Sequence, residues 1–219
     1  MHAVVPKQFM EIDGESVLLH TMRAFNRHAL VHEIYVVCTA EWEGFVRHEA
    51  ERGGIDKLAG IVGAGESSFA SARRGIEHLL ATVKEPDAIV LVHDAVRPLI
   101  TQDIISRNIA VCLTHGNAIT ALPSYEAYLE TADGSTSSGF RPREGLMRAQ
   151  TPHTFPLATL GQMMQIADER HLKESQSVFT LAGELGINPL HIARGDLRNF
   201  KITEQPDILI YRALKTLDE

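Results

Sequence analysis

The apolar stretches of this 219-residue chain change in kind as the chain advances, and that alternation limits its fold more than any other feature. Residues 16–30 carry apolar side chains at helical spacing, whereas 33–39 (Glu-Ile-Tyr-Val-Val-Cys-Thr) read as a strand. Residues 41–52 are helical again and 58–62 form a short strand. Phe69, Ala72, Ile76, Leu79 and Val83 then recur at three- and four-residue steps, with Arg73, Arg74 and Glu77 on a solvated face. The apolar run at 88–92 predicts a central parallel strand buried on both faces. Residues 101–115 predict a helix with Thr101 as its N-cap and Asp103 in its first turn. The expected fold class is α/β, a mostly parallel sheet covered by helices on both faces.

The alternation breaks after Gly116. Residues 118–122 suit a strand, but 125–147 are polar and interrupted by Gly134, Gly139 and Pro142, with alternating flanks. The segment 120–148 therefore reads as an antiparallel arm inserted into a single domain of residues 1–219. Its strand edges would need pairing, which favours a homodimer. Helices over 155–171 and 177–185, a strand over 190–193 and a last helix capped by Thr203 and running to Leu217 complete the pattern. Pro206 is tolerated in that last helix because first-turn amides lack intrahelical partners.

No apolar run approaches the roughly 20 residues that span a bilayer, and no signal peptide opens the chain, so the expected location is cytoplasmic with no membrane partner. Cys38 and Cys112 lack motif spacing and read as small core residues of a reducing compartment. A formal net charge of −7 argues against nucleic-acid binding. The eleven histidines lack zinc spacing.

The strand at 88–92 ends in His93-Asp94-Ala95-Val96-Arg97-Pro98. Ligands of open α/β sheets bind at that edge. There an acid can hold a divalent metal, and a guanidinium can fork onto phosphate oxygens. An Asp–Arg pair that merely closes a turn is the plain alternative. For His93, local packing or hydrogen bonding is the simpler reading.

Four segments occur in register: Pro6-Lys7-Gln8-Phe9 with an Ile-Asp-Gly turn, the Asp94 segment, Gln150-Thr151-Pro152-His153-Thr154-Phe155, and Asn199-Phe200-Lys201-Ile202-Thr203. The set, over nearly the whole chain, resembles the cytidylyltransferases that activate sugar-alcohol phosphates. The branches acting on 2-C-methyl-D-erythritol 4-phosphate and on ribitol 5-phosphate match best. The resemblance implies a Rossmann-like nucleotidyltransferase fold and CMP transfer from CTP to a polyol phosphate, with Mg²⁺ (or another divalent cation) and release of pyrophosphate. It implies Lys7 and Lys201 as the catalytic lysines about the α-phosphate, and Lys7, Gly65, Ser71 and Asp94 at the nucleotide. Asp94 would hold the metal, and Asp94, Arg97 and Arg143 the acceptor, with the arm of Arg143 crossing to a second subunit.

The chain departs from that pattern in places. Ser68 stands where the family has an arginine, and Glu126-Ala127 where it has Asp-Thr. The family's segment Ala-Gly-Gly-x-Gly-x-Arg-Met is not in this sequence, and Met1 falls at the spacing of its final methionine. Either the family's first strand and phosphate loop lie upstream, or residues 2–5 serve as that strand. In both cases the amides that would cradle a triphosphate are missing, and this 219-residue chain is expected to bind CTP weakly. A non-catalytic or divergent nucleotide-binding homologue, and a nucleotidyltransferase using another base, are the competing readings.

Overall fold

The computed structural model describes residues 5–85 and 87–215. A 3-10 turn at Lys7–Phe9 leads into a short antiparallel ribbon of β1 (Glu11–Ile12) and β2 (Glu15–Ser16). The Ser16 hydroxyl then accepts from the Leu19 amide and caps α1 (Val17–Asn26). β3 (Ile34–Cys38), α2 (Glu43–Gly53) and β4 (Leu58–Gly63) follow, with β3 and β4 paired in parallel. Next come α3 (Ser68–Thr82), β5 (Ile89–Val92) and α4 (Gln102–His115), the last capped by Thr101 as its sequence predicts.

Beyond Gly116 lie β6 (Ala118–Pro123), a hairpin of β7 (Tyr128–Glu130) and β8 (Gly139–Arg141), and the long strand β9 (Met147–Pro156). The hairpin is the inserted arm. Helices α5 (Leu157–Glu169) and α6 (Val178–Glu184), strand β10 (Ile192–Arg194) and helix α7 (Gln205–Lys215) complete the described chain. Leu217, the expected end of the last helix, and residues 2–4 of the alternative first strand lie outside the described residues; Val5 sits in an exposed bend.

The α/β architecture follows the alternation, but the sheet is mixed. A four-stranded sheet runs β10-β6-β9-β5, with β10 parallel to β6 and β9 antiparallel to both of its neighbours. The reversal follows from the arm, which returns the chain toward β6 and β5 from the opposite end. β3 and β4 form a separate pair. Between β3 and β5 runs an apolar cavity of about 1250 Å³, lined by both strands and by α1 and α3. The expectation that 88–92 is a central parallel strand buried on both faces is corrected accordingly: β5 ends the four-stranded sheet and runs antiparallel to β9. Ile89 to Val92 are each half-buried, because the β5 edge facing β3 opens onto this cavity.

Two apolar cores flank the four-stranded sheet. One packs Phe69, Phe155, Leu160, Met163 and Leu181; the other packs Ile100, Ile104, Ile105 and Ile109 against β5. Each such fully buried side chain contributes about 1.5–3 kcal/mol. A buried polar hub ties α4 to β6 and β9. Asn108 Nδ2 donates to Thr120 Oγ1 at 2.8 Å, Thr120 donates to the Pro152 carbonyl at 2.8 Å, and Thr154 donates to Asn108 Oδ1 at 3.2 Å. Buried groups of this kind are tolerated only when they satisfy one another.

Two side-chain readings change. Arg73 is not simply solvated: its guanidinium bridges Glu77 on its own helix and Asp168 on α5. Thr203 does not cap α7 with its hydroxyl. Instead the Asp207 carboxylate reaches back, accepting from the Thr203 and Glu204 amides and the Thr203 hydroxyl. A carboxylate is the stronger acceptor for amides at a positive helix end. Cys38 and Cys112 are free and buried, as expected.

Candidate active site

Asp94 leaves the carboxyl end of β5 in a turn closed by Arg97 N donating to the Asp94 carbonyl at 3.1 Å. The Arg97 guanidinium donates from Nε to Asp94 Oδ2 at 3.0 Å and from Nη1 to the Asn199 carbonyl at 2.9 Å. Lys201 Nζ stands 3.4 Å from the same carboxylate oxygen. Burial pushes the Asp94 carboxyl up, but the Lys201 and Arg97 charges outweigh it and hold the group below its ordinary range. Asp94 is therefore ionised at neutral pH, with two cations on one oxygen.

Lys7 reaches the same place from the opposite end of the chain, its ammonium donating to the Thr203 carbonyl. The two lysines thus flank one short segment, residues 201–203. Gly65, in the loop before α3, and Ser71, in the first turn of α3, line the cavity that also reaches Asp94, and the Gly65 amide donates to Ser71 Oγ at 3.1 Å. A Cβ at Gly65 would meet Ala70 Cβ at 2.6 Å, so no larger residue fits that turn without displacing α3. Arg143 is not brought to this cluster. Its side chain is 61% exposed at the base of the arm and pairs at 3.7 Å with Glu144.

Sequence reasoning did not single out what holds Lys201 in place. Gln150 Nε2 donates to the Asp196 and Asn199 carbonyls at 2.9 and 3.0 Å, and Asn199 Nδ2 donates to the Thr151 carbonyl at 2.8 Å. Gln150 and Asn199 are buried, and together they clamp the loop that carries Lys201 onto β9. Gly195 admits the clamp, since a Cβ there would collide with Gln150 Oε1. Both motifs were visible in sequence, but their contact spans 49 residues and no local signal announces it.

Among the described residues no group of three His, Cys, Asp or Glu side chains could hold a metal. Asp94 suits the other mode, in which Mg²⁺ takes one or two carboxylates together with substrate phosphates and water. Lys201 and Arg97 both engage Oδ2, so Oδ1 is the oxygen that would be available to such an ion.

Two lysines, an arginine and an ionised acid at the carboxyl edge of an α/β sheet define a protein built to handle phosphate groups. The chain belongs to the 2-C-methyl-D-erythritol 4-phosphate cytidylyltransferase family, whose model matches residues 1–216. It is 31% identical over 211 residues to the ribitol-5-phosphate cytidylyltransferase of Streptococcus agalactiae serotype Ia, covering 95% of this chain and 87% of that protein. It is 35% identical over 210 residues to the 2-C-methyl-D-erythritol 4-phosphate cytidylyltransferase of Rubrobacter xylanophilus, covering 95% and 87%. The crystal structure of 4-diphosphocytidyl-2C-methyl-D-erythritol synthase matches with a TM-score of 0.83 at 27% identity, covering 95% of this chain and 94% of that one. The nucleotidyltransferase fold implied by the four motifs is thereby established.

Proposed function

We propose that this protein transfers CMP from CTP to a sugar-alcohol phosphate, 2-C-methyl-D-erythritol 4-phosphate or ribitol 5-phosphate, and releases pyrophosphate. Beside its family membership, one observation carries the reading: Lys7, Lys201, Arg97 and ionised Asp94 converge on one edge of the sheet. An acceptor phosphate oxygen attacks the α-phosphorus; the new P–O bond forms as the bond to the β-phosphate breaks, and pyrophosphate carries away the electron pair. Two anions must be brought together, so positioning and charge stabilisation dominate.

In this reading Lys7 and Lys201 stabilise charge developing about the α-phosphate, and Gly65 and Ser71 border the nucleotide. Asp94 fixes Lys201 and Arg97 and, together with substrate phosphates, would hold a divalent cation that neutralises part of the triphosphate charge. Arg97 orients the acceptor. Arg143, remote from the cluster in its own chain, serves the acceptor phosphate of a second subunit. Residues 1–219 then act as one domain whose 120–148 arm dimerises it. Supporting this, Tyr125, Leu129 and Phe140 on the arm are 67%, 72% and 70% exposed, apolar surface that a partner would cover. Two free, buried cysteines suit the cytoplasm, where CTP is at hand. Among the described residues no helix is long and apolar enough to cross a membrane.

Pyrophosphate release, measured with CTP and Mg²⁺ against a panel of polyol phosphates, tests the reaction. Release with one of the two named acceptors is expected. CTP binding without release from any acceptor would favour a non-catalytic nucleotide binder, and preference for UTP or GTP another base. For the assembly, light scattering should give a dimer, and Leu129→Asp with Phe140→Asp should yield a folded monomer. A monomeric parent chain would reject the arm's role.

A further inference from the structure

His93 and Thr151 lie directly behind the Asp94 turn, and neither is needed by the reaction as derived above. The Asp94 amide donates to Thr151 Oγ1 at 3.0 Å. Thr151 Oγ1 lies 3.0 Å from His93 Nδ1, and His93 Nε2 lies 3.3 Å from the Arg97 carbonyl. A carbonyl only accepts, so Nε2 must carry the proton. Nδ1 of the neutral ring is then an acceptor and takes the Thr151 hydroxyl proton, while Thr151 Oγ1 receives the Asp94 amide. The three bonds are consistent with one tautomer only. The ring is also held edge-on to Phe25, with centroids 5.0 Å apart.

The chain of donors runs from the first residue of the turn to its last: Asp94 amide, Thr151 hydroxyl, His93 ring, Arg97 carbonyl. We propose that His93, through Thr151, is a positioning residue that sets the span of the Asp94–Arg97 turn and hence the placement of the Asp94 carboxylate against Lys201 and Arg97. Thr151 sits on β9, so the relay also registers that turn against the strand whose Gln150 holds the Lys201 loop. An imidazole suits the task because its two nitrogens lie on opposite sides of a rigid ring. A flexible side chain would satisfy one end and lose the other.

The kinetic part of the test rests on the proposed cytidylyl transfer; the spectroscopic part does not. Two-bond ¹H–¹⁵N spectra of the wild-type chain at neutral pH should show His93 as the Nε2–H tautomer, assigned by its loss in His93→Gln. An Nδ1–H tautomer overturns the relay whether or not the protein turns over CTP. In kinetics, His93→Gln keeps a donor near Nε2 but loses the acceptor toward Thr151, and His93→Asn does the reverse. Each should lower kcat about tenfold, and His93→Phe about a hundredfold, the scale expected for small misplacements of a reacting centre. KM for CTP should stay within about threefold, since Lys7, Gly65 and Ser71, which border the nucleotide in this reading, lie outside the relay. Combining His93→Gln with Thr151→Val should cost less than the product of the single effects, because both break the same link. Wild-type kcat in folded His93→Gln and His93→Asn, or independent effects of His93→Gln and Thr151→Val, would overturn the proposal.

Discussion

Replacing Lys201 by alanine is expected to lower kcat by about 10²- to 10³-fold, the usual range for removing one group that stabilises charge in the transition state. KM for CTP should change only a few-fold, because a group that acts mainly in the transition state contributes little to ground-state binding. The structure supplies the reason for a large effect. Lys201 is clamped onto β9 by Gln150 and Asn199 and stands 3.4 Å from an ionised acid, so its ammonium is oriented before substrate arrives. Lys201→Arg should restore only part of the loss, since a planar fork does not replace a compact point charge. Turnover at the parent rate in folded Lys201→Ala would remove Lys201 from the chemistry. Lys7→Ala provides the comparison, being anchored to the Thr203 carbonyl on the same segment.

Folding stability should fall as pH is lowered from 6.5 toward 4, with His153 and the likewise buried His93 both contributing to the fall. The His153 ring is buried in β9 and packs edge-on against Phe179. Burial pushes it down to about 4, with the Asp94 charge opposing and Arg97 assisting. Its folded value lies below its unfolded one, so the unfolded chain binds the proton first as pH drops. The stabilisation is complete above pH 6.5 and is lost progressively down to the folded value near 4. A tenfold difference in proton affinity is worth about 1.4 kcal/mol, so the loss attributable to His153 amounts to about 3 kcal/mol over that window. Urea unfolding of the parent chain and of His153→Asn near neutral pH and again near the folded value isolates it. The variant should be less stable at neutral pH yet show the smaller decline; equal declines would mean that His153 is not held neutral by its surroundings.

Much of the secondary structure was legible because it is encoded at short range. The Phe69, Ala72, Ile76 and Leu79 spacing marks one face of α3, Thr101 caps α4 through its own hydroxyl, and the apolar run at 89–92, β-branched but for Leu91, is a strand. β9 was only partly visible. Gln150, Thr151, His153 and Thr154 are polar, and period-two apolar patterning fails where a strand buries polar side chains against a hub such as Asn108 and Thr120. The break after Gly116 marked the arm, but the seat of β9 between β6 and β5 and the cavity between β3 and β5 left no trace in local pattern, since both depend on which strand edges meet.

The site divides in the same way. Asp94 and Arg97 could be paired from sequence because three residues of a turn bring them within reach. Lys7 and Lys201 could be named only through family motifs, and the reach of Lys7 across 196 residues to Thr203, beside Lys201, is a product of the folded chain. The same holds for the grip of Gln150 and Asn199 on the Lys201 loop, and for the His93–Thr151 relay behind the turn. Sequence by itself determined most of the elements, the capping of α4 and the residue types suited to phosphate chemistry, because those follow from spacing along a few turns of chain. Tertiary structure alone decided which cations face Asp94 and which, like Arg143, lie elsewhere. Coulombic and hydrogen-bonding energies depend on distances of a few ångströms, and only the packing of remote segments sets those distances.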